Sequence, residues 1–249
     1  MKTEPKKTRV AFVTGAGGSM GAAIARALVA EGHRVVLADN DAKTVAGVAA
    51  ELGADAFPLT LDVSDPSQVK TACDSLRKKW GPVDILVNNA GILSNNKIVE
   101  TTPEEWRRIL AVNLDGPYLL CRELVPAMRE QRWGRIINVC SLAMKTGGLT
   151  AGTAYTTSKG ALGALTFSLA RELAPHGVTV NGIAPAYVRS KMINEQLTEQ
   201  QRQETLRGIP VGRFCEPEEV AHTVVFLSSP LSGFITGEIV DINGGLHMD

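Results

Sequence analysis

Several groups of residues combine side-chain types and spacings that could do chemistry. Thr14-Gly15-Ala16-Gly17-Gly18-Ser19-Met20-Gly21 follows a short apolar run and leads into an Ala-rich stretch with Ile24 and Leu28 on one helical face. Glycines permit a tight turn and close backbone approach, and the unpaired N–H groups of a following helix attract a pyrophosphate. Asp39 closes the next apolar run, 18 residues after Gly21, where a carboxylate accepts hydrogen bonds from an adenosine ribose. Tyr155 and Lys159 stand at i, i+4, so a helix projects both toward one ligand. Each feature also has a plain reading: a flexible strand-to-helix turn, a turn or cap carboxylate, a chance surface pair.

The carboxylate also discriminates between cofactors. A 2′-phosphate beside Asp39 places like charges together, and two unit charges about 4 Å apart at an effective dielectric of about 20 repel by roughly 4 kcal/mol before screening. No Lys or Arg occupies the loop to compensate, and Arg34 opens the second run at its far end. The expectation is NAD(H) in preference to NADP(H).

These residues need a scaffold, and the chain supplies a repeating one. Apolar runs at Val10 to Thr14, Val35 to Asp39, Ala56 to Asp62, Val83 to Asn88, Arg135 to Ser141, Val178 to Gly182 and Glu238 to Ile242 alternate with helix-sized segments. That alternation predicts right-handed βαβ units and a mainly parallel sheet. Because the runs are continuously apolar, helices should cover both faces. Pro58 cannot donate to a ladder, which places the third strand at an edge and favours an order beginning 3-2-1-4. The predicted fold is a single α/β domain over 1–249, doubly wound, with seven parallel strands in the order 3-2-1-4-5-6-7.

Composition narrows the partners. The 249 residues carry 26 basic and 26 acidic side chains and are 44% hydrophobic, which excludes disorder and argues against nucleic-acid or membrane-surface binding driven by bulk charge. No apolar run approaches the roughly 18 residues that span a bilayer, and Met1 to Arg9 is polar and basic, so a cytoplasmic protein is expected. Cys73, Cys121, Cys140 and Cys215 lie far apart without metal-ligand spacing and read as reduced core thiols; no metal is expected.

Further motifs complete a pattern: Asp62-Val63, Asn88-Asn89-Ala90-Gly91, Val112-Asn113-Leu114, Ser141, and Val180-Asn181-Gly182-Ile183-Ala184-Pro185, with Thr236-Gly237 and Asn243-Gly244-Gly245 near the C-terminus. With the glycine loop and the Tyr155/Lys159 pair, essentially the whole chain resembles the short-chain dehydrogenase/reductase family in its single-domain form. The resemblance implies a catalytic tetrad of Asn113, Ser141, Tyr155 and Lys159. Tyr155 would be the general acid in ketone reduction and the base in alcohol oxidation, its phenolate favoured by the Lys159 ammonium and the positive nicotinamide. Lys159 would also hold the nicotinamide ribose, Ser141 the substrate oxygen, and Asn113 a water in a proton relay; the plain reading of Asn113 is a helix-bend side chain bonded to backbone. Cofactor contacts implied in the same way are Gly15, Gly17, Gly18, Ser19, Met20, Gly21 and Asp39, the adenine pair Asp62 and Val63, then Asn89, Ala90, Gly91, Pro185, Val188 and Ser190.

The chain departs from the family pattern at Ser19 and Ala186, where glycine is usual, and the Ser141 to Tyr155 interval is one residue longer than in many members. Substrate recognition is expected in Leu142 to Ala154 and in a helical lid over about 187–210. Lys145, Arg189, Lys191 and Arg207 are candidate receptors for an anionic group, although the plainer reading of each is a solvated charge. The leading reading is an NAD-dependent dehydrogenase of a secondary alcohol or polyol and its ketone. Its alternatives are a 3-oxoacyl thioester reductase, with Arg129, Arg132 and Arg171 as a surface for an acyl carrier, and a catalytically silent NAD-sensing or scaffold protein. The helix from Ser158 to Leu173 is apolar on several sides and, with the family resemblance, implies a homotetramer.

Overall fold

The computed structural model describes residues 7–189 and 198–248. Its centre is a seven-stranded sheet in the order β3-β2-β1-β4-β5-β6-β7. The strands are β1 (Val10–Thr14), β2 (Arg34–Asp39), β3 (Ala56–Thr60), β4 (Ile85–Asn88), β5 (Gly134–Val139), β6 (Val178–Pro185) and β7 (Ile239–Ile242), and every adjacent pair runs parallel. Successive side chains point to opposite faces, so each strand feeds two cores. Val10 and Phe12 of β1 pack with Val36, Leu86 and Ile136 on one face, while Ala11 and Val13 pack with Val35, Leu37 and Ile85 on the other.

Helices cover both faces, as the continuous apolar runs predict. One layer holds α3 (Pro66–Trp80), α5 (Gly116–Glu130) and α7 (Thr153–Leu173), which bring Leu76, Leu120, Met128 and Leu173 to the first core. The other holds α1 (Ser19–Ala30), α2 (Ala42–Leu52) and, late in the chain, α9 (Pro217–Ser228), which deliver Ile24, Leu28, Val45 and Val224. The connecting elements are α4 (Pro103–Leu110), a π-turn at Ala111–Asp115, the one-turn helix α6 (Ala143–Thr146) and α8 (Glu199–Gly208).

Pro58 lies on the edge strand, opposite Leu37, where its missing N–H breaks no ladder. The third run is shorter than predicted: β3 stops at Thr60, and Asp62 turns away to accept hydrogen bonds from the amide and hydroxyl of Ser64 at 2.9 and 2.7 Å. The sixth strand is longer, because β7 pairs with it as far as Pro185. Among the described residues no helix is long and apolar enough to cross a membrane, and no cluster of His, Cys, Asp or Glu could hold a metal ion.

Candidate active site

A cavity of about 920 Å³ opens at the C-terminal ends of the strands and runs from the glycine loop to Tyr155. Parallel sheets place binding sites there, at the point where strand order reverses between β1 and β4. The first wall is the loop between β1 and α1. Helices α2, α3 and α4 each begin on a side-chain cap, from Asp41, Asp65 and Thr102 respectively. Helix α1 begins on Gly18 with no side-chain cap, which leaves its first N–H groups facing the cavity for a phosphate.

Two glycines of the loop have no room for a side chain. A Cβ on Gly17 would lie 2.3 Å from Thr44 Oγ1 and 3.1 Å from Asp39 Oδ2, and one on Gly21 would lie 2.1 Å from the Gly15 carbonyl oxygen. Ser19, by contrast, is exposed at the first residue of α1, so its Cβ crowds nothing inside the loop. Asp39 reaches the cavity from the end of β2, and its Oδ2 accepts the Gly17 N–H at 2.9 Å. The carboxylate is therefore both an acceptor facing the cavity and a strut of the loop, a role its sequence position does not show.

Thr14 joins this wall to the next. Its hydroxyl accepts the Asn89 and Ala90 N–H groups at 2.9 Å each, while Asn89 Nδ2 donates to the Thr14 and Gly15 carbonyls. Asn89 Oδ1 is buried with no partner among the described residues, on a residue that lines the cavity. An uncapped helix, two side-chain-free close approaches and an orphaned acceptor together fit a dinucleotide.

Catalytic candidates gather at the far end. Helix α7 presents Tyr155 on its first turn and Lys159 one turn later, and Ser141 leaves the end of β5 to join them at the cavity. Ser141 hydrogen-bonds the Tyr155 phenol, while the Ala143 N–H donates to Ser141 Oγ at 3.2 Å. Lys159 is buried and donates to the Val139 carbonyl at 2.7 Å, with Nζ 5.8 Å from the Tyr155 ring centroid. Burial raises the Tyr155 phenol above its usual range and the Ser141 hydroxyl opposes that in part, which favours the protonated form.

Burial pushes Lys159 down to about 8, still above neutral pH, so the ammonium predominates at pH 7. Between that value and 10.5, the ordinary value of an exposed lysine, the unfolded chain holds a proton that the native site releases. From Lys159 alone, stability therefore rises as pH increases through this window, and the penalty for burying the ammonium is fully present below it. In urea unfolding without cofactor, the stability of wild type relative to Lys159→Met should rise by about 1.5 kcal/mol between pH 8 and 9.5. The comparison cancels the opposite trend of Cys73, Cys121, Cys140 and Cys215, whose thiols burial holds above their ordinary value of 9.0 in both proteins. Equal pH dependence in the two proteins would refute the assignment to Lys159.

Asn113 is buried in the π-turn. Nδ2 donates to the Ile92 carbonyl and to Ser158 Oγ at 3.0 Å each, and Oδ1 accepts the Ile92 N–H at 2.9 Å. These bonds fix Ile92 on the cavity wall. Asp62 and Val63 do not line the cavity: Asp62 is exposed and occupied by Ser64, and Val63 is buried against Gly116. Pro185 and Val188 do line it, and Ser190 lies outside the described residues, as does 190–197 of the expected lid.

The departure at Ala186 has a clear structural answer. The left-handed backbone falls one residue later, on Tyr187 at φ 45°, whose ring packs near Phe214. The longer Ser141 to Tyr155 interval is taken up by Gly147 and Gly148 at φ 76° and 80°. Sequence reasoning missed Lys97, whose ammonium holds the Gly148 and Ala151 carbonyls at 3.2 and 2.6 Å and so anchors the substrate wall. It also missed Ile92 and Leu93 on the cavity, which no motif marks, while Thr146 falls in the expected substrate segment.

A dinucleotide cleft on a doubly wound sheet, closed by a Tyr/Lys/Ser cluster, defines a nucleotide-dependent oxidoreductase. Comparison with known proteins agrees. A family model described as enoyl-(acyl carrier protein) reductase matches residues 15–247. The 3-oxoacyl-(acyl-carrier-protein) reductase FabG of Salmonella typhimurium is 38% identical over 244 residues, covering 96% of this chain and 98% of that protein. FabG of Aquifex aeolicus is 36% identical over 242 residues, covering 96% and 97%. The crystal structure of a 3-ketoacyl-(acyl-carrier-protein) reductase from Brucella melitensis complexed with NADH superposes with a TM-score of 0.92 at 32% identity, covering 98% of this chain and all of that one. The chain belongs to the short-chain dehydrogenase/reductase family and is an NAD-dependent oxidoreductase that interconverts CH–OH and C=O groups.

Proposed function

We propose that this protein reduces 3-oxoacyl thioesters with NADH, with Tyr155 as the proton donor. The observation that carries this reading is the character of the cavity around Ser141 and Tyr155. Its walls there include Ile92, Leu93, Leu142, Ala143 and Leu149, which suit an acyl chain, alongside polar Asn95, Thr146 and Thr150. The candidate anion receptors among the described residues are engaged or distant: Lys145 pairs with Asp241 at 2.8 Å, Arg189 with Glu216 at 2.9 Å, and Arg207 is exposed away from the cavity. Lys191 lies outside the described residues. The relatives reported above, named as 3-oxoacyl reductases, favour the same alternative over an alcohol or polyol.

Two neighbouring hydroxyls, Ser141 and Tyr155, both line the cavity and suit a carbonyl oxygen better than the C=C bond implied by an enoyl substrate. A nicotinamide held in the cleft would supply the hydride. Tyr155 then gives its phenolic proton to the developing alkoxide, Ser141 steadies that oxygen, and the Lys159 ammonium stabilises the phenolate left behind. Arg129, Arg132 and Arg171 do not line the cavity, and Arg171 is 16 residues beyond Tyr155 on α7, a rise of about 24 Å. A homotetramer of copies remains the proposed assembly, supported by half-exposed Tyr118 and Phe167 on α5 and α7 and by exposed Leu231 and Phe234.

The test is loss of nicotinamide absorbance with an acetoacetyl thioester, a secondary alcohol and a polyol, each assayed with both cofactors. Turnover should be fastest on the thioester, and kcat/KM with NADH should exceed that with NADPH by more than tenfold, from half or more of the repulsion at Asp39. Turnover confined to alcohols or polyols would sink the substrate reading. Equal use of NADPH would sink the cofactor preference. Binding of NADH without turnover of any substrate would restore the silent-sensor alternative.

A further inference from the structure

The one-turn helix α6 carries no motif, yet it is pinned from two sides. Toward α7, Met144 fills the space left by Gly163, where a Cβ would come within 2.5 Å of the methionine methyl group. Toward β7, Lys145 Nζ donates to Asp241 Oδ2 at 2.8 Å, with both side chains largely buried at 16% and 24% exposure. The other carboxylate oxygen, Oδ1, is buried with no hydrogen-bond partner among the described residues. A partly buried carboxylate in that condition depends on its remaining cation.

The pair joins two walls of the same cavity. Leu142, Ala143 and Thr146 form the wall that follows Ser141, and Ala186 and Tyr187 form the wall beyond β6. Asp241 lies in register with Ala184, and the next residue, Ile242, accepts the Ala186 N–H at 3.0 Å. The Leu142 N–H donates to Pro185 at 3.2 Å. The Ala143 N–H, in the same turn, sets the Ser141 hydroxyl oxygen. Displacing α6 therefore moves the serine and one substrate wall, but not the glycine loop or Asp39 at the other end of the cavity.

We propose that Lys145 and Asp241 are positioning residues that clamp the Ser141 turn to β7 and so set the width and register of the substrate end of the cavity. The inference rests on the oxidoreductase site and is independent of the thioester reading. In Lys145→Met, and in the isosteric Asp241→Asn, KM for the ketone should rise about tenfold or more. Over the same variants kcat should change less, and the NADH dissociation constant should stay within twofold. Lys145→Arg keeps the charge pair and should stay within threefold of wild type. Amide deuterium uptake over 141–147 should quicken in the Met and Asn variants while 153–173 stays unchanged, a readout that needs no substrate.

Unchanged KM and unchanged exchange would overturn the proposal. So would NADH affinity falling in parallel with uniformly faster exchange, the mark of a general structural role, or an Arg variant as impaired as Met. Failure of wild type to reduce an acetoacetyl thioester would sink only the substrate reading, because the exchange comparison still tests the clamp.

Discussion

Tyr155→Phe should lower turnover by about a thousandfold while leaving NADH binding within twofold of wild type. The ring keeps its place on the first turn of α7, and only the O–H is lost. A positioned proton donor typically accounts for about 10²–10⁴ in rate. The middle of that range is expected because the variant keeps the ring and removes only the proton. Steady-state absorbance with the preferred ketone measures the first quantity and NADH fluorescence titration the second. Activity within tenfold of wild type would remove Tyr155 from the acid role. A matching loss of NADH affinity would recast it as a binding residue.

Gly21→Ala should weaken NADH binding about a hundredfold, or roughly 2.7 kcal/mol. Helix propensity alone favours alanine at a helical position by up to about 1 kcal/mol, so the expected sign is opposite to the local preference. Sterics decide it. The new Cβ would meet the Gly15 carbonyl oxygen at 2.1 Å and the Ala16 Cα at 2.8 Å. Both are backbone atoms of the turn that shapes the phosphate site, and neither can swing aside as a side chain can. Gly18→Ala is the internal control, because its nearest neighbour, the Gly15 carbonyl oxygen, is 3.5 Å away and its φ of −78° suits any residue. Isothermal titration of both variants should separate them clearly. Equal NADH affinity in the two would mean that the close approach at Gly21 does not shape the cofactor site.

Much of this architecture was legible in the residues because its signals are local. Continuous Val- and Ile-rich runs announce buried parallel strands, Pro58 announces an edge, and Tyr155 with Lys159 announces one helix face. The sheet order and the convergence of Ser141, Tyr155, Lys159 and the glycine loop follow from those signals. What escaped the sequence depends on pairing between distant segments. Asp39 as a strut of the glycine loop requires knowing that its Oδ2 meets the Gly17 N–H. Lys145 reads as a free cation until β7 brings Asp241 to it, and Lys97 reads as a surface charge until two carbonyls of the substrate wall turn toward it. The end of the third run was hidden for a related reason: β3 stops two residues before Asp62, so that residue turns with the chain instead of continuing the strand. The balance between burial and charge at Tyr155 was equally hidden, since it depends on where Lys159 Nζ is directed.

The sheet's outer margins limit how copies of this protein can meet. On one side β3 carries Pro58, with Phe57 packed against Trp80 and Lys79 lying over the Phe57 ring. On the other, β7 is only four residues long, and left-handed glycines at 244 and 245 follow it closely. A strand docking at either margin would find a missing donor or a ladder that ends within a few residues. The fold thereby discourages open-ended growth by strand addition, because neither margin offers a long, fully paired edge to an incoming strand.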